Sequence, residues 1–544
     1  MSAANDPDRG FFGHPIGLRT LFFTEMWERF SYYGMRAFLI LYLGAPKELG
    51  GHGMFDVLTN ELGEITKQPN AGAGAIVGMF GAAVYLLSLP GGWIADRFLG
   101  QRKAVFFGGI GIAAGNAILA IPNIGDVFYI GLILIALGTG FLKPNISTMV
   151  GQLYTEADGR RDAGYTIYYM GINIGATLAP FVCGYLAQDS DFRAMLLENG
   201  INPNYCWNFA FAAASVGMIG GLIQYSFGQR SLGEAGQHPT VPTDTARAAR
   251  DRTVLKLIGL IAAAIAVVVV VVKPSSGIIT ETMGIGLVIG SIILFYGLFR
   301  SARDTSERRR ILAMIPLYIG AIGFFGIFEQ APTTLNIFAQ SLTEREFLGL
   351  EIPASYYQSV NAVFIVLLAP LFAWIWVKLA KAKKEPTSVN KFGIGMVILA
   401  MSFLVMLPAS GATDANRASP VYLIGLYLFY TMAELCISPV GLSSMSKLAP
   451  QRLGGMVMGI WFLGTSIGIY LAGRATSISA GKGYDFLFKF LMIASLVLAA
   501  ALFVVAPIIR KMMAKDDHAS GPANKSEKAE PEPLPAARLV NDDQ

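Results

Sequence analysis

Seven ionisable side chains stand inside otherwise apolar stretches of this 544-residue chain, and four of them fall within the segment "TEMWERFSYYGMR", Thr24 to Arg36. With Glu25 set at 0° on a helical wheel, Glu28 falls at about 300°, Arg29 at about 40°, Tyr32 at about 340°, Tyr33 at about 80° and Arg36 at about 20°. The polar groups therefore share one face. Lys143 in "GTGFLKPNIS", Glu329 in "GIFEQAPTT" and Glu434 in "TMAELCISPVGLSSMSKLAP" complete the set. Facing lipid, seven charges at roughly 3 kcal/mol each would cost about 20 kcal/mol, so they must face one another or a wet cavity. Gluing helices together is the plainer role, but buried pairs can often be replaced by apolar residues without loss, so stability alone is a weak reason for them. Four acids against three bases leave a net charge of −1, which one proton on a carboxylate would neutralise.

The same charges suit a ligand with opposite charges at its two ends. Arg36 and Lys143 in the first half match a carboxylate, and Glu434 in the second half matches an ammonium. Such a ligand would bridge the halves. Asn173 in "YYMGINIGA" and Asn361 in "YYQSVNAVF" supply amide groups able to grip a peptide backbone without reading its side chains. Tyr32, Tyr33, Tyr85, Tyr169 and Trp461 could line adaptable apolar pockets, although each taken alone is better explained by core packing or an interfacial belt. Ser438, near Glu434, is grouped with them.

These charges must be positioned by membrane helices. Hydrophobic residues make up 53% of the chain and charged ones only 15%, with a mean hydropathy of +0.51, against the roughly 25% charged of soluble domains. About fourteen windows are long enough to span a bilayer, and an all-α membrane protein is expected. No cleavable signal peptide is seen ahead of the first span. Lys and Arg concentrate in "DRFLGQRK", "GRRD", Arg230 to Arg252, "RSARDTSERRR" and "KLAKAKKEP", which predicts that these loops and both termini are cytoplasmic. Scattered in this way, the basic residues do not form a nucleic-acid patch. Three cysteines, Cys183, Cys206 and Cys436, with no CxxC, suggest neither disulfides nor a metal, and no cofactor is expected.

The spans divide as six, two and six. Residues 1–15 form an N-terminal cytoplasmic segment, 16–230 a first bundle, 231–309 a linker with two additional spans, 310–511 a second bundle and 512–544 a polar tail expected to be disordered. Gly74 with Gly78, and Gly455 with Gly459, have the spacing of close helix contacts. The loop "GGWIADRFLGQRK" resembles the signature of the major facilitator superfamily, and "WIWVKLAKAKKEPTSVNKF" looks like its decayed copy in the second half.

"EMWERFSYYGMR" resembles the E-x-x-E-R-F-x-Y-Y-G-x-R signature of the proton-dependent oligopeptide transporter family. "FLKPNIS", "YYMGINIGA", "ELCISPVGLSSMSKLAP" and "MGIWFLGTSIG" resemble its patterns in later helices, so the resemblance covers roughly residues 15 to 510. It implies a major facilitator fold of two six-helix bundles with two extra central helices, fourteen spans in all, and proton-driven import of di- and tripeptides across a bacterial inner membrane. It also implies roles. Glu25, Glu28 and Arg29 would couple protons and pair with Lys143. Arg36 and Glu329 would form an outer gate that opens on protonation. Glu434 would meet the peptide amino terminus, Arg36 and Lys143 its carboxylate. Tyr32, Tyr33, Tyr85, Asn173, Asn361 and Trp461 would contact the peptide.

Two departures stand out. Small residues expected after "FEQ" are replaced by Ala331, Pro332, Thr333 and Thr334, leaving the bend of that helix open, and His14, His52, His238 and His518 lie in loops or ends, so carboxylates rather than a histidine must carry protons. The partners expected from the resemblance are peptides, protons and the lipid bilayer, with no nucleic acid and a monomeric chain. The sequence leaves open a carrier of nitrate, a drug or another amide. A membrane enzyme is disfavoured because no histidine is placed near a Ser or Cys nucleophile, and a channel because the charges compensate one another instead of forming rings of one sign.

Overall fold

The computed structural model describes residues 10–59, 65–69, 71–155, 158–239, 248–260, 276–347, 349–448 and 453–519. In the first half, α1 (Ile16–Gly44), α2 (Ala71–Ile94), α3 (Gln101–Leu119), α4 (Val127–Gln152), α5 (Arg161–Gln188), the short α6 (Ser190–Glu198) and α7 (Cys206–Gly228) follow in order. Residues 248–260 are helical, and α8 is Ser276–Arg300. The second half holds α9 (Thr305–Phe328), the short α10 (Thr334–Leu342), α11 (Tyr357–Lys381), α12 (Ser388–Met406), α13 (Val421–Leu448) and α14 (Gly454–Ala519). Gly483, at φ 78° and ψ 170°, breaks α14 into two membrane-length limbs. Among the described residues ten helical stretches are apolar and long enough to cross a membrane, counting α14 once. The first-helix charges keep α1 outside that count.

Helices α1, α5 and α7 pack together, as do α3 with α4 and α2 with α4, to make one bundle; α9, α12, α13 and both limbs of α14 make the other, with α11 on α13. The bundles meet along two seams, α2 against α14 and α5 against α11. Because lipid removes most of the hydrophobic drive between helices, small residues and buried hydrogen bonds hold such seams. Gly74 and Gly78 of α2 lie against Gly473 of α14, where a Cβ at Gly473 would fall 2.5 Å from the Gly74 carbonyl oxygen. The other predicted pair differs. Gly455 has open space around it and Gly459 meets only the Leu89 side chain, because α14 and α2 have diverged at that level.

Several sequence expectations are corrected. The all-α class holds for the membrane part, and the loops add two antiparallel hairpins, Phe55–Thr59 with Ile65–Pro69 and Glu346–Phe347 with Leu350–Glu351. The helix that carries "GIFEQAPTT" does not run on past Glu329. It stops at Phe328, and a turn whose Thr333 has φ −115° and ψ −100° leads into α10, with the Thr334 hydroxyl donating to Gln330 Oε1 at 2.8 Å. Part of the predicted tail is helical, since α14 continues to Ala519. Residues beyond it, and residues 261–275 of the two-span linker, lie outside the described residues.

Candidate functional site

Prolines interrupt the helices that face the space between the bundles: Pro144 in α4, Pro180 in α5, Pro370 in α11 and Pro439 in α13. Each removes an N–H, frees a carbonyl and bends its helix, which is tolerated at membrane depth where a cavity is lined. The result is a cavity of about 1130 Å³ between the bundles. At one end it reaches Arg36 and Glu329. At the other it opens past Trp376 of α11, Lys391 of α12 and Lys447 of α13, on the face from which α1 rises.

Arg36 of α1 is ion-paired with Glu329, just past the end of α9, both side chains at most 9% exposed. Beyond that pair the halves are tied by hydrogen bonds that close the opposite face. Asn336 and Gln358 both donate to the Ala37 carbonyl, at 2.7 and 2.9 Å, and Gln188 donates to Gln340 at 2.7 Å. Ser359 donates to the Thr177 carbonyl at 2.8 Å and Ser466 to the Ala82 carbonyl at 3.0 Å. This conformation is sealed on one side of the charged residues and open on the other.

Glu25, Glu28 and Arg29 lie off the cavity, all under 4% exposed, with Arg29 bridging both carboxylates, at 3.0 Å to Glu25. Lys143 is not joined to them by an ion pair among the described residues; its ammonium sits 3.7 Å from the centre of the Tyr85 ring, on the cavity wall. Tyr32 is not on that wall. It is 2% exposed, its ring lying under the guanidinium groups of both Arg29 and Arg36, at 5.6 and 5.7 Å. Three and four residues away along one helix, the two arginines hold the ring between them. Tyr33, one residue on, points into the cavity with Tyr85 and Tyr169.

Across the cavity Glu434 of α13 accepts from Asn361 at 3.1 Å, and Asn361 also bonds the Thr431 hydroxyl at 3.0 Å. No ion pair joins Glu434 to Lys143 among the described residues. Asn173 bonds the Tyr169 carbonyl through its amide nitrogen at 3.0 Å, which leaves its oxygen available. Ser438 and Trp461 complete the lining from the second bundle. Sequence reasoning missed Gln358 and Asn336. The first lies three residues before Asn361, on one helix face with it, a spacing visible in "YYQSVNAVF"; the second sits beyond a helix break that Pro332 signals without fixing where the chain goes next. It also missed Lys391, which is buried against Glu385 at 2.5 Å and over the Trp376 ring at 4.4 Å. Trp93 and Arg97 form a similar pair in the first-half loop.

Residues 102–483 match the sequence model of the POT family. The chain belongs to the POT family. A peptide transporter of Yersinia enterocolitica is 37% identical over 94% of this chain and 98% of its own length. A di-/tripeptide transporter of Lactococcus lactis is likewise 37% identical, covering 94% of this chain and 99% of that one. Among solved structures, a mutant of a POT-family peptide transporter in complex with alafosfalin superposes with a TM-score of 0.81 at 37% identity, over 94% of this chain and 98% of that one. The fold is therefore that of the major facilitator superfamily with the two extra helices of its POT branch, and the chain is a multi-pass membrane transporter rather than an enzyme.

Proposed function

We propose that this POT-family chain imports di- and tripeptides together with protons by alternating access. The observation that carries the reading is one cavity between two bundles with cations on one wall and an acid on the other. Arg36 and Lys143 come from the first half and Glu434 from the second. A peptide carboxylate and ammonium would engage these two walls, while Asn173 and Asn361 hold its backbone and Tyr33, Tyr85, Tyr169, Ser438 and Trp461 accommodate its side chains. Neither the polar amides nor the rings select one side chain, which fits a broad substrate range. The relatives of Yersinia enterocolitica and Lactococcus lactis, a peptide and a di-/tripeptide transporter, point to the same substrate class.

Proton coupling follows from charge. Glu25, Glu28 and Arg29 sum to −1, and so does the full set of seven. A proton on Glu329 would remove the partner of Arg36, loosening the sealed face and freeing the guanidinium for a carboxylate. Return of the proton to the open side would restore the pair. With inward-negative potential, each charge carried adds about 2.3 kcal/mol per 100 mV. The basic loops support a bacterial cytoplasmic membrane location with both termini inside, so the open cavity would face the cytoplasm. Bundles at 16–230 and 310–511, a two-helix linker at 231–309 and a monomeric assembly complete the reading.

In liposomes with an inward proton gradient, labelled dialanine should accumulate while alanine and tetra-alanine do not. Glu329→Gln and Glu25→Gln should abolish gradient-driven accumulation. Unaltered proton uptake per peptide in both variants would sink the coupling scheme, and accumulation of nitrate in place of dialanine would sink the substrate.

A further inference from the structure

A second cavity, of about 340 Å³, lies between the halves on the sealed side. Its wall begins at Leu41, five residues and about 7 Å along α1 from Arg36. A solute approaching from that side meets it before the Arg36–Glu329 pair. Its volume is near the lower end of small-ligand sites, about 300 Å³, with the halves closed upon it.

The charges on its two walls repeat the order of the central cavity. The first half contributes Arg193 of α6, lying 5.9 Å over the Trp207 ring and donating to the Ala187 carbonyl at 3.2 Å. That bond and a hydrogen bond with the Cys206 side chain use part of the five guanidinium donors, and Nε, buried, has no hydrogen-bond partner among the described residues. The second half contributes Glu351, whose side chain is 42% exposed and pairs with Arg345 at 2.8 Å. Arg345 itself is only 12% exposed and stays in place, but the exposed Glu351 carboxylate has acceptor sites left over, so an incoming ammonium can join the pair from the cavity side. Between them Gln188 and Gln340 bond each other across the halves, and once parted they offer two amides to a peptide group.

We propose that this outer vestibule is a recognition site for zwitterionic peptides in transit, Arg193 taking the carboxylate and Glu351 the ammonium. The inference rests on the peptide reading above. Because cation and acid stand on the same halves here as in the central cavity, a peptide captured in the vestibule already has the orientation it needs below. It descends without turning over. Charges at such a rim govern capture more than final affinity, and salt screens them.

The test compares dialanine uptake from outside liposomes with dialanine binding to the solubilised protein, whose central cavity is reached from the open side. Arg193→Gln and Glu351→Gln are each expected to raise the uptake KM about 2- to 5-fold, the range of a half-exposed charge pair. The maximal rate should stay within about twofold, Arg193→Lys should recover most of the loss, and high salt should erase the difference from wild type. The dissociation constant of the solubilised protein should not move. An unchanged KM in both variants would overturn the proposal, as would a dissociation constant that rises in step with KM. Wild-type protein that takes up no dialanine at all would overturn the peptide reading instead.

Discussion

Tyr32 shows how a residue of the right type can serve a different purpose from its neighbour. Its hydroxyl is buried without a hydrogen-bond partner among the described residues, while its ring separates Arg29 from Arg36. The ring face gives each guanidinium an attraction of up to about 2 kcal/mol on top of its carboxylate partner. Tyr32→Phe should therefore keep uptake within about twofold of wild type, whereas Tyr32→Leu should lose at least about tenfold in kcat/KM. A rise in KM for the phenylalanine variant would instead return the hydroxyl to the peptide. His52, in the loop after α1, poses a related problem of burial. It packs against Tyr42, Phe128 and Tyr129, with neither ring nitrogen hydrogen-bonded among the described residues. Burial, helped by Lys47, holds its pKa below the usual 6.5. The folded chain then takes up this proton less readily than the unfolded chain, so stability falls as pH drops through about 6.5 toward the lowered value. His52→Phe should narrow the gap between melting temperatures measured at pH 7.5 and pH 5.5, and raise the lower one.

The helix seams set which face of the protein is open. Gly473 sits where α14 touches α2, and a Cβ there would also fall 2.6 Å from Gly78 Cα. Gly473→Ala overpacks the sealed arrangement alone, at a cost of about 1–3 kcal/mol, which shifts the balance toward the alternative opening by about 5- to 150-fold. A cysteine placed at Ser341, on the wall of the outer vestibule, should then react faster with an impermeant maleimide. Cys183, Cys206 and Cys436 are buried and should contribute little background. Unchanged labelling would mean the seam does not control the opening. Much of this architecture was legible in the residues. The periodic charges of "TEMWERFSYYGMR" had to face inward, and Arg36 meets Glu329 across 293 positions. What the pattern could not give was contact geometry. Tyr32 and Tyr33 are equivalent as letters, yet a rotation of 100° puts one behind the wall and the other on it. Lys143 was matched with acids because charge seeks charge, but the Tyr85 ring takes its ammonium. The glycine spacing at Gly455 and Gly459 matched that at Gly74 and Gly78, and only divergence of the two helices distinguishes them.

The insert between the halves is attached at both ends of the molecule. Near the outer end of α8, Thr280 donates to Met79 Sδ of α2 at 3.4 Å and Glu281 pairs with Arg474 of α14 at 2.7 Å, so one helix touches both bundles. At the opposite end, Arg97 of the "DRFLGQRK" loop pairs with Asp251 at 2.5 Å, the side chains 27% and 6% exposed. Arg102 of the same loop bonds the carbonyls of Gly233 and Ala235, and Gly100, with φ 76°, makes the turn that allows this approach. The loop that lies between α2 and α3 is thus clamped by the start of the insert. The clamp is unequal, because losing one partner strands a buried carboxylate and losing the other frees an arginine that can turn to water. Arg97→Gln should cost about 2–3 kcal/mol, less than the 3–5 of a fully buried pair because Arg97 is partly exposed, and Asp251→Asn about 1 kcal/mol. The double variant should resemble Asp251→Asn rather than the sum, since without the carboxylate the arginine has nothing left to compensate. Thermal unfolding in detergent measures all three. Additive losses would show that Arg97 and Asp251 act separately, and the insert would then be fastened only by the contacts of α8 and the Arg102 bonds.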